Sequence, residues 1–230
     1  MKLGIDISSL DDIDYSLLKK NNISFVIIKV DTSFNKHYYN LIKNKIDVGV
    51  YFESNAKCKN DLVKEVDTLL NLIDDKVFNY PIFLSITNLN TNIDEVIKYY
   101  DLILKREGYY FGIYSNLSIY KSILDKYDYD YWISIFDDTK PNIKLEIWQN
   151  KNDYYLGKSK VRLSYSYKDY PKIIKEKYLN NNYDFKPNIY IIKKGDTLNK
   201  LSKKCNIPKE ILLKNNISLE PGSIINIDNL

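Results

Sequence analysis

The chain has 230 residues, 44% hydrophobic and 28% charged, enough to bury one sizeable core and leave room for a small second module. No apolar run approaches the roughly 18–20 residues that span a bilayer, and 34 basic residues interspersed with 30 acidic ones give a net charge of only +4. Neither a membrane nor a nucleic-acid partner is therefore implied.

The opening MKLGIDIS lacks the apolar core of a secretory leader. The expectation is a chain made in the cytoplasm that reaches its target by lysis or inside a particle. Short β-branched and aromatic runs then alternate with helix-period stretches, the pattern of repeated βα units around a largely parallel sheet. The expected strands are Leu3 to Ile7, Phe25 to Val30, Val48 to Phe52, Ile82 to Ile86, Tyr110 to Tyr114, Tyr131 to Phe136, Leu145 to Gln149 and Val161 to Tyr165. Apolar residues three and four apart at Ile93, Val96, Ile97, Tyr100, Ile103 and Leu104 predict an amphipathic helix packed on that sheet. The last three runs lie too close together for crossover helices, so this end is expected to hold antiparallel strands.

The predicted fold class is thus α/β: an irregular TIM-like β/α barrel over 1–168, a polar linker over 169–187 with a short helix from Ile173 to Tyr178, and a small βααβ domain over 188–230. In that last part a Gly195-Asp196 turn precedes a helix carrying Leu198 and Leu201, with Asp196 as the expected N-cap. A second helix starts near Pro208, and Pro221-Gly222 turns the chain into a closing strand. Cys58 and Cys205 fall in different modules and in no metal-ligand spacing, so two thiols are expected rather than a disulfide. The single histidine, His37, is expected on a helix surface, and no cofactor or metal is implied.

The segments YIIKKGDTLNKLSKKCNIPKEILLKNNI and EPGSIINI resemble a LysM domain. That resemblance implies binding of peptidoglycan or another N-acetylglucosamine-containing glycan by two loops: Gly195, Asp196, Thr197 and Leu198, and Asn215, Asn216, Ile217 and Ser218. Acetamido sugars suit such loops, because they offer amide groups for backbone pairing and a methyl for an apolar contact such as Ile217.

Upstream, GIDIS, IDYSLLKKNNISFVIIKV, VGVYF, FGIYSN, YWIS and IWQN resemble the family 25 muramidases, the Chalaropsis-type lysozymes. Active members of that family carry Asp-x-Glu at the end of the fourth strand; here YPIFLSIT places Ser85 and Thr87 there. The first-strand aspartate corresponds to Asp6, while VRLS puts Arg162 where a late acid belongs. Glycoside hydrolysis needs a proton donor and a second carboxylate, and general acid catalysis is worth about 10²–10⁴-fold, so this pattern implies a degenerate active site. Asp6 and Arg162 are expected to pair, holding Asp6 ionised.

Among rim acids at predicted strand ends, Asp31, Glu53, Asp137 and Asp138, Glu53 is the most credible substitute partner for Asp6. Tyr51, Tyr114, Trp132 and Trp148 lie at strand positions that can line a barrel groove; Trp148-Gln149, matching a motif of the resembled family, is favoured for that role, and Tyr51, Tyr114 and Trp132 are expected rather to pack. The functional expectation is a peptidoglycan-targeting protein with a silent barrel and a LysM module, partnered by other proteins of a phage tail or tail-like particle. An active N-acetylmuramidase with a relocated acid, cutting between N-acetylmuramic acid and N-acetylglucosamine, is the second reading. A spore-coat or wall structural protein is the third.

Overall fold

The computed structural model describes residues 1–88, 93–181, 189–205, 207–215 and 217–226. The chain forms two compact units, Met1–Asn182 and Tyr183–Leu230.

Eight strands of the first unit close a barrel in sequence order: β1 (Lys2–Ile7), β2 (Ile23–Lys29), β3 (Asp47–Glu53), β4 (Ile82–Ile86), β5 (Phe111–Asn116), β6 (Tyr131–Ser134), β7 (Ile147–Leu156) and β8 (Ser159–Ser166). β1 to β7 run parallel, and β8 alone is reversed, pairing antiparallel with both β7 and β1. Antiparallel pairing at the crowded end is thus present but confined to β8. β7 nevertheless stays parallel to β6, because residues 135–146 return as an extended loop instead of a helix.

The outer face packs against α1 (Ser16–Lys20), α2 (Phe34–Lys43), α3 (Lys59–Ile73) and α4 (Ile93–Arg106), with α5 (Leu117–Ile119) running on into a π-helical turn at Tyr120–Leu124. α4 buries Ile97, Tyr100, Ile103 and Leu104, the spacing read from the sequence, and α3 does the same with Leu62, Val66, Leu69 and Ile73. Residues of opposite parity on the strands point inward. There Phe25, Tyr51, Phe83, Tyr114 and Trp132 fill the barrel. Glycine makes room for them: a Cβ on Gly4 would lie 2.4 Å from the Phe25 ring, and one on Gly112 2.6 Å from that of Phe83.

Residues 169–181 are not a free linker, and the rest of the expected linker, 182–187, lies outside the described residues. α6 (Tyr170–Glu176) starts earlier than expected and drives Tyr170 and Ile174, both 0% exposed, into the interior cluster at the N-terminal strand ends. Asn180, also 0% exposed, follows as a clasp: its side chain accepts from the Tyr110 amide at 2.7 Å and donates to the Tyr80 carbonyl at 2.8 Å, while its own carbonyl accepts from the Phe78 amide. Polar residues that satisfy buried backbone read as linker in composition, yet they close the bottom of the barrel.

The second unit contains β9 (Ile189–Ile191), α7 (Leu198–Cys205), α8 (Lys209–Lys214) and β10 (Ile224–Asn226), with β9 and β10 antiparallel. Ile192, Leu201, Cys205, Ile207, Leu212 and Ile225 form its core. Among the described residues no helix is long and apolar enough to cross a membrane, and Cys58 and Cys205 are not joined by a disulfide.

Candidate functional site

The site is built at the C-terminal ends of the parallel strands, where β1 meets the reversed β8. Asp6 and Arg162 are direct cross-strand partners, so both side chains face inward. Arg162 Nη2 donates to Asp6 Oδ2 at 2.6 Å, which is the pairing the sequence predicts, and also reaches the Tyr51 hydroxyl at 3.3 Å. Gln149, 0% exposed on β7, donates from Nε2 to Asp6 Oδ1 at 2.7 Å and accepts from the Tyr114 hydroxyl at 2.9 Å. A carboxylate can only accept here, which fixes the amide orientation of Gln149 and leaves its oxygen for Tyr114. The rings of Tyr51 and Tyr114 lie against Trp132, at centroid distances of 5.7 and 4.2 Å.

Both oxygens of Asp6 are thus engaged, and its side chain is 1% exposed. Burial pushes its carboxyl up to about 6, outweighing Arg162 and the Gln149 hydrogen bond, which pull the other way. Asp6 is therefore ionised at neutral pH, as the expected pairing implies, but because desolvation outweighs the arginine it takes up a proton in mild acid. Burial likewise raises the Tyr51 and Tyr114 hydroxyls above their ordinary value, keeping them neutral donors.

β4 contributes no carboxyl. Ser85 is 8% exposed and lies opposite Tyr114 on β5 and Glu53 on β3. Thr87 follows the end of β4, half-buried, its carbonyl accepting from Asn116 Nδ2 at 3.4 Å. Glu53 is exposed and ion-paired with Lys29 at 3.0 Å. Lys29 was not among the candidates, although its parity with Phe25 and Ile27 on β2 already marks it as inward-facing. The other rim acids hold loops: Asp31 accepts from the Ser9 amide at 2.7 Å and the Ser33 amide at 2.9 Å, and Asp137 from the Thr139 amide at 3.0 Å. Asp138 is exposed.

Two expectations are corrected. Trp148 does not line the groove: it adjoins inward-pointing Gln149, so it must face the other way, where it is 4% exposed, packs near Tyr165 and donates to the Ile135 carbonyl at 2.7 Å. His37 is not on a helix surface but 1% exposed, because its position on α2 belongs to the buried stripe of Phe34, Tyr38 and Leu41.

In the small unit, Gly195 takes φ +87°, a conformation that favours glycine, and a Cβ there would meet nothing within 4 Å. Asp196 is not the cap of α7: its carboxylate accepts from the Lys193 amide at 2.8 Å and the Tyr190 hydroxyl at 2.9 Å, bracing the preceding turn. Thr197 caps the helix instead, its hydroxyl accepting from the Lys200 amide at 3.3 Å. Leu198 and Ile217, one from each predicted binding loop, both pack partly buried against the unit's core. Asn215 donates to the Ile211 carbonyl at 2.9 Å, and the Ser218 hydroxyl accepts from the Glu220 amide at 3.3 Å. Asn216 lies outside the described residues. Among the described residues, no group of His, Cys, Asp and Glu side chains is placed to hold a metal ion.

A closed β/α barrel with one reversed strand defines a lysozyme-like fold, shared with a family 25 glycosyl hydrolase and a phage endolysin. Residues 190–228 match the LysM domain. The barrel is similar to the catalytic domain of an endolysin from a bacteriophage of Listeria monocytogenes, with a TM-score of 0.67 and 22% identity over 76% of this chain and 97% of that one. It is similar to a family 25 glycosyl hydrolase from Bacillus anthracis, with a TM-score of 0.57 and 24% identity over 73% and 89% of the two chains. A modular autolysin from Streptococcus pneumoniae, solved in complex with a synthetic peptidoglycan ligand, matches with a TM-score of 0.63 and 21% identity over 71% of this chain and 46% of that one. No curated protein matches in sequence.

Proposed function

We propose that the chain is a peptidoglycan-targeting protein whose barrel is catalytically silent and whose LysM unit holds the glycan. The observation that carries this reading is the state of Asp6: both oxygens are taken, by Arg162 at 2.6 Å and Gln149 at 2.7 Å, while β4 and the residue after it offer Ser85 and Thr87 where the family resemblance calls for acids. Hydrolysis of a glycosidic bond requires two carboxyl groups in complementary roles. Asp6 is a single carboxyl with both oxygens engaged, and its neighbours Ser85, Tyr51 and Tyr114 are hydroxyls that cannot fill the complementary carboxylate role. The LysM match and the likeness to a barrel solved with a peptidoglycan ligand support a wall glycan as the partner. A phage tail or tail-like particle, in which a docking barrel and a wall-binding unit serve together, is the setting proposed for it.

The test is a zymogram run beside a pull-down on purified walls, so that cutting and holding are scored separately. The expected outcome is retention by the walls with no clearing band and no new reducing ends. Release of reducing ends by the pure recombinant chain overturns the silent barrel. Recovery of the chain from purified particles, rather than from a free pool alone, is the outcome expected for the proposed setting.

A further inference from the structure

The chain's single histidine takes no part in the polar cluster at the mouth, yet both of its ring nitrogens are engaged. His37 Nε2 lies 3.1 Å from the Ser8 carbonyl oxygen, and Nδ1 lies 2.7 Å from the Tyr15 hydroxyl. A carbonyl oxygen only accepts, so Nε2 carries the proton, and Nδ1 accepts from Tyr15 in the neutral ring. One neutral tautomer therefore satisfies both contacts.

Ser8 and Tyr15 bracket the loop between β1 and α1, which leaves the barrel immediately beyond the strand that carries Asp6. Within the loop, Ser8 donates from its amide and hydroxyl to Asp11 at 2.7 and 2.9 Å, and Ile13 is buried. Leu10 is 93% exposed. The loop is thus a preformed turn beside the mouth: one imidazole on α2 meets both of its ends, while Asp31 accepts from the Ser9 amide and Ser159 donates to the Asp12 carbonyl, alongside the buried Ile13.

We propose that His37 is a pH-sensitive latch for the Tyr15 end of loop 8–15: the neutral ring accepts from Tyr15, and protonation of the ring breaks that contact while Nε2 goes on donating to the Ser8 carbonyl. In the charged ring Nδ1 becomes a donor, so Tyr15 must turn its hydroxyl hydrogen away from the ring, and a full charge stands in a site 1% exposed to water. The charged groups facing the ring are Asp11 from the loop, Asp31 from the end of β2, and Lys36 from α2. Burial opposes the charge most strongly and Lys36 opposes it too, while the Ser8 carbonyl, Asp31 and Asp11 favour it. The balance places the ring below its ordinary value of 6.5. The sign follows: the neutral ring's contribution is fully present above 6.5 and is lost as pH falls through the lowered value.

The test uses the full chain and nitrogen-edited NMR, following the one imidazole together with the Ser8, Ser9 and Tyr15 amides from pH 8 to pH 5. The expected result is an Nε2-protonated ring whose midpoint lies below 6.5, with the Tyr15 amide moving at that same midpoint. Tyr15→Phe removes the donor to Nδ1 and is expected to shift the midpoint upward; His37→Gln is expected to abolish the shared transition. A ring that titrates at the ordinary value, a Tyr15 amide that stays still while it titrates, or a shared transition that survives in His37→Gln each overturns the latch. Tyr15→Phe keeps the question decidable if His37→Gln fails to fold.

Discussion

The two ends of the barrel use the same chemistry to different effect. At the bottom, Asp130 accepts from Lys168 at 2.7 and 2.9 Å, from the Tyr110 hydroxyl at 2.9 Å and from the Tyr170 hydroxyl at 3.0 Å. At the mouth, Asp6 accepts from Arg162 and Gln149, with Tyr51 and Tyr114 one bond further out. The bottom network lies at the end of the barrel opposite the candidate site, and the α6 segment seals it with Tyr170, Ile174 and Asn180. A carboxylate ringed by a cation and tyrosines is therefore a way to fill a narrow barrel with satisfied polar groups, and its presence at the mouth is no sign of catalysis. The ends differ in which groups are covered: at the bottom Tyr170 is 0% exposed while Lys168 is 32% exposed, and at the mouth Asp6 is 1% exposed while Arg162, 39% exposed, and the Lys29–Glu53 pair meet solvent.

If that contrast is right, the bottom should be the costlier end to damage. Tyr170→Ala removes a ring that is 0% exposed and one of the donors to Asp130, and a buried aromatic-to-alanine change costs about 3–5 kcal/mol. The loss is read as a fall in the urea midpoint at constant slope. Arg162→Met leaves Asp6 buried without its cation. Breaking a fully buried pair costs about 3–5 kcal/mol, but partial solvation of Arg162 and proton uptake by Asp6 reduce this to roughly 2 kcal/mol. A loss from Arg162→Met as large as that from Tyr170→Ala would break the comparison, making the mouth as structural as the bottom.

Proton linkage sharpens the contrast further. The Asp6 carboxyl is raised from 3.8 to about 6, so between these values the native state holds a proton that the unfolded chain has released. Its contribution to stability is therefore greatest in acid and falls as pH rises through about 6. His37 has the opposite slope, so the measurement belongs in a His37→Gln background. There, Asp6→Asn is expected to flatten the decline in urea midpoint between pH 4 and pH 7, whereas an unchanged slope would assign the titration elsewhere.

Much of this architecture is legible in the sequence, and the exceptions share a cause. The eight strands and the apolar faces of α3 and α4 follow from residue type and period, and the cross-strand meeting of Asp6 with Arg162 follows from strand order. The same periods, applied strictly, also place Trp148 opposite Gln149 and His37 with Phe34, Tyr38 and Leu41; residue chemistry suggested a groove and a surface where parity and helical phase were the better guides. The closing segment was less accessible. Asn180 and Asn181 have left-handed backbone, φ 54° and 57°, and bond to distant backbone groups, so their role depends on partners far away in sequence and not on any local pattern. Asp196 was legible as a turn residue but not as a brace, because the Tyr190 hydroxyl it accepts from lies on the preceding strand.

The smallest expected effect bears most directly on catalysis. Glu53 is the acid best placed to replace the missing one, since it lies beside Ser85 at the strand ends, yet its side chain is 45% exposed and held by Lys29. An exposed pair of this kind contributes under about 1 kcal/mol, so Glu53→Gln should barely move the urea midpoint. A working general acid would behave differently: its amide variant loses the proton to be donated, and turnover drops by about 10²–10⁴-fold while stability stays constant. Side-by-side turbidity assays on purified walls, parent against Glu53→Gln, separate the two cases. Equal absence of clearing leaves Glu53 as a solvated rim residue, whereas clearing by the parent that the variant loses would make the mouth a relocated active site and end its likeness to the bottom of the barrel.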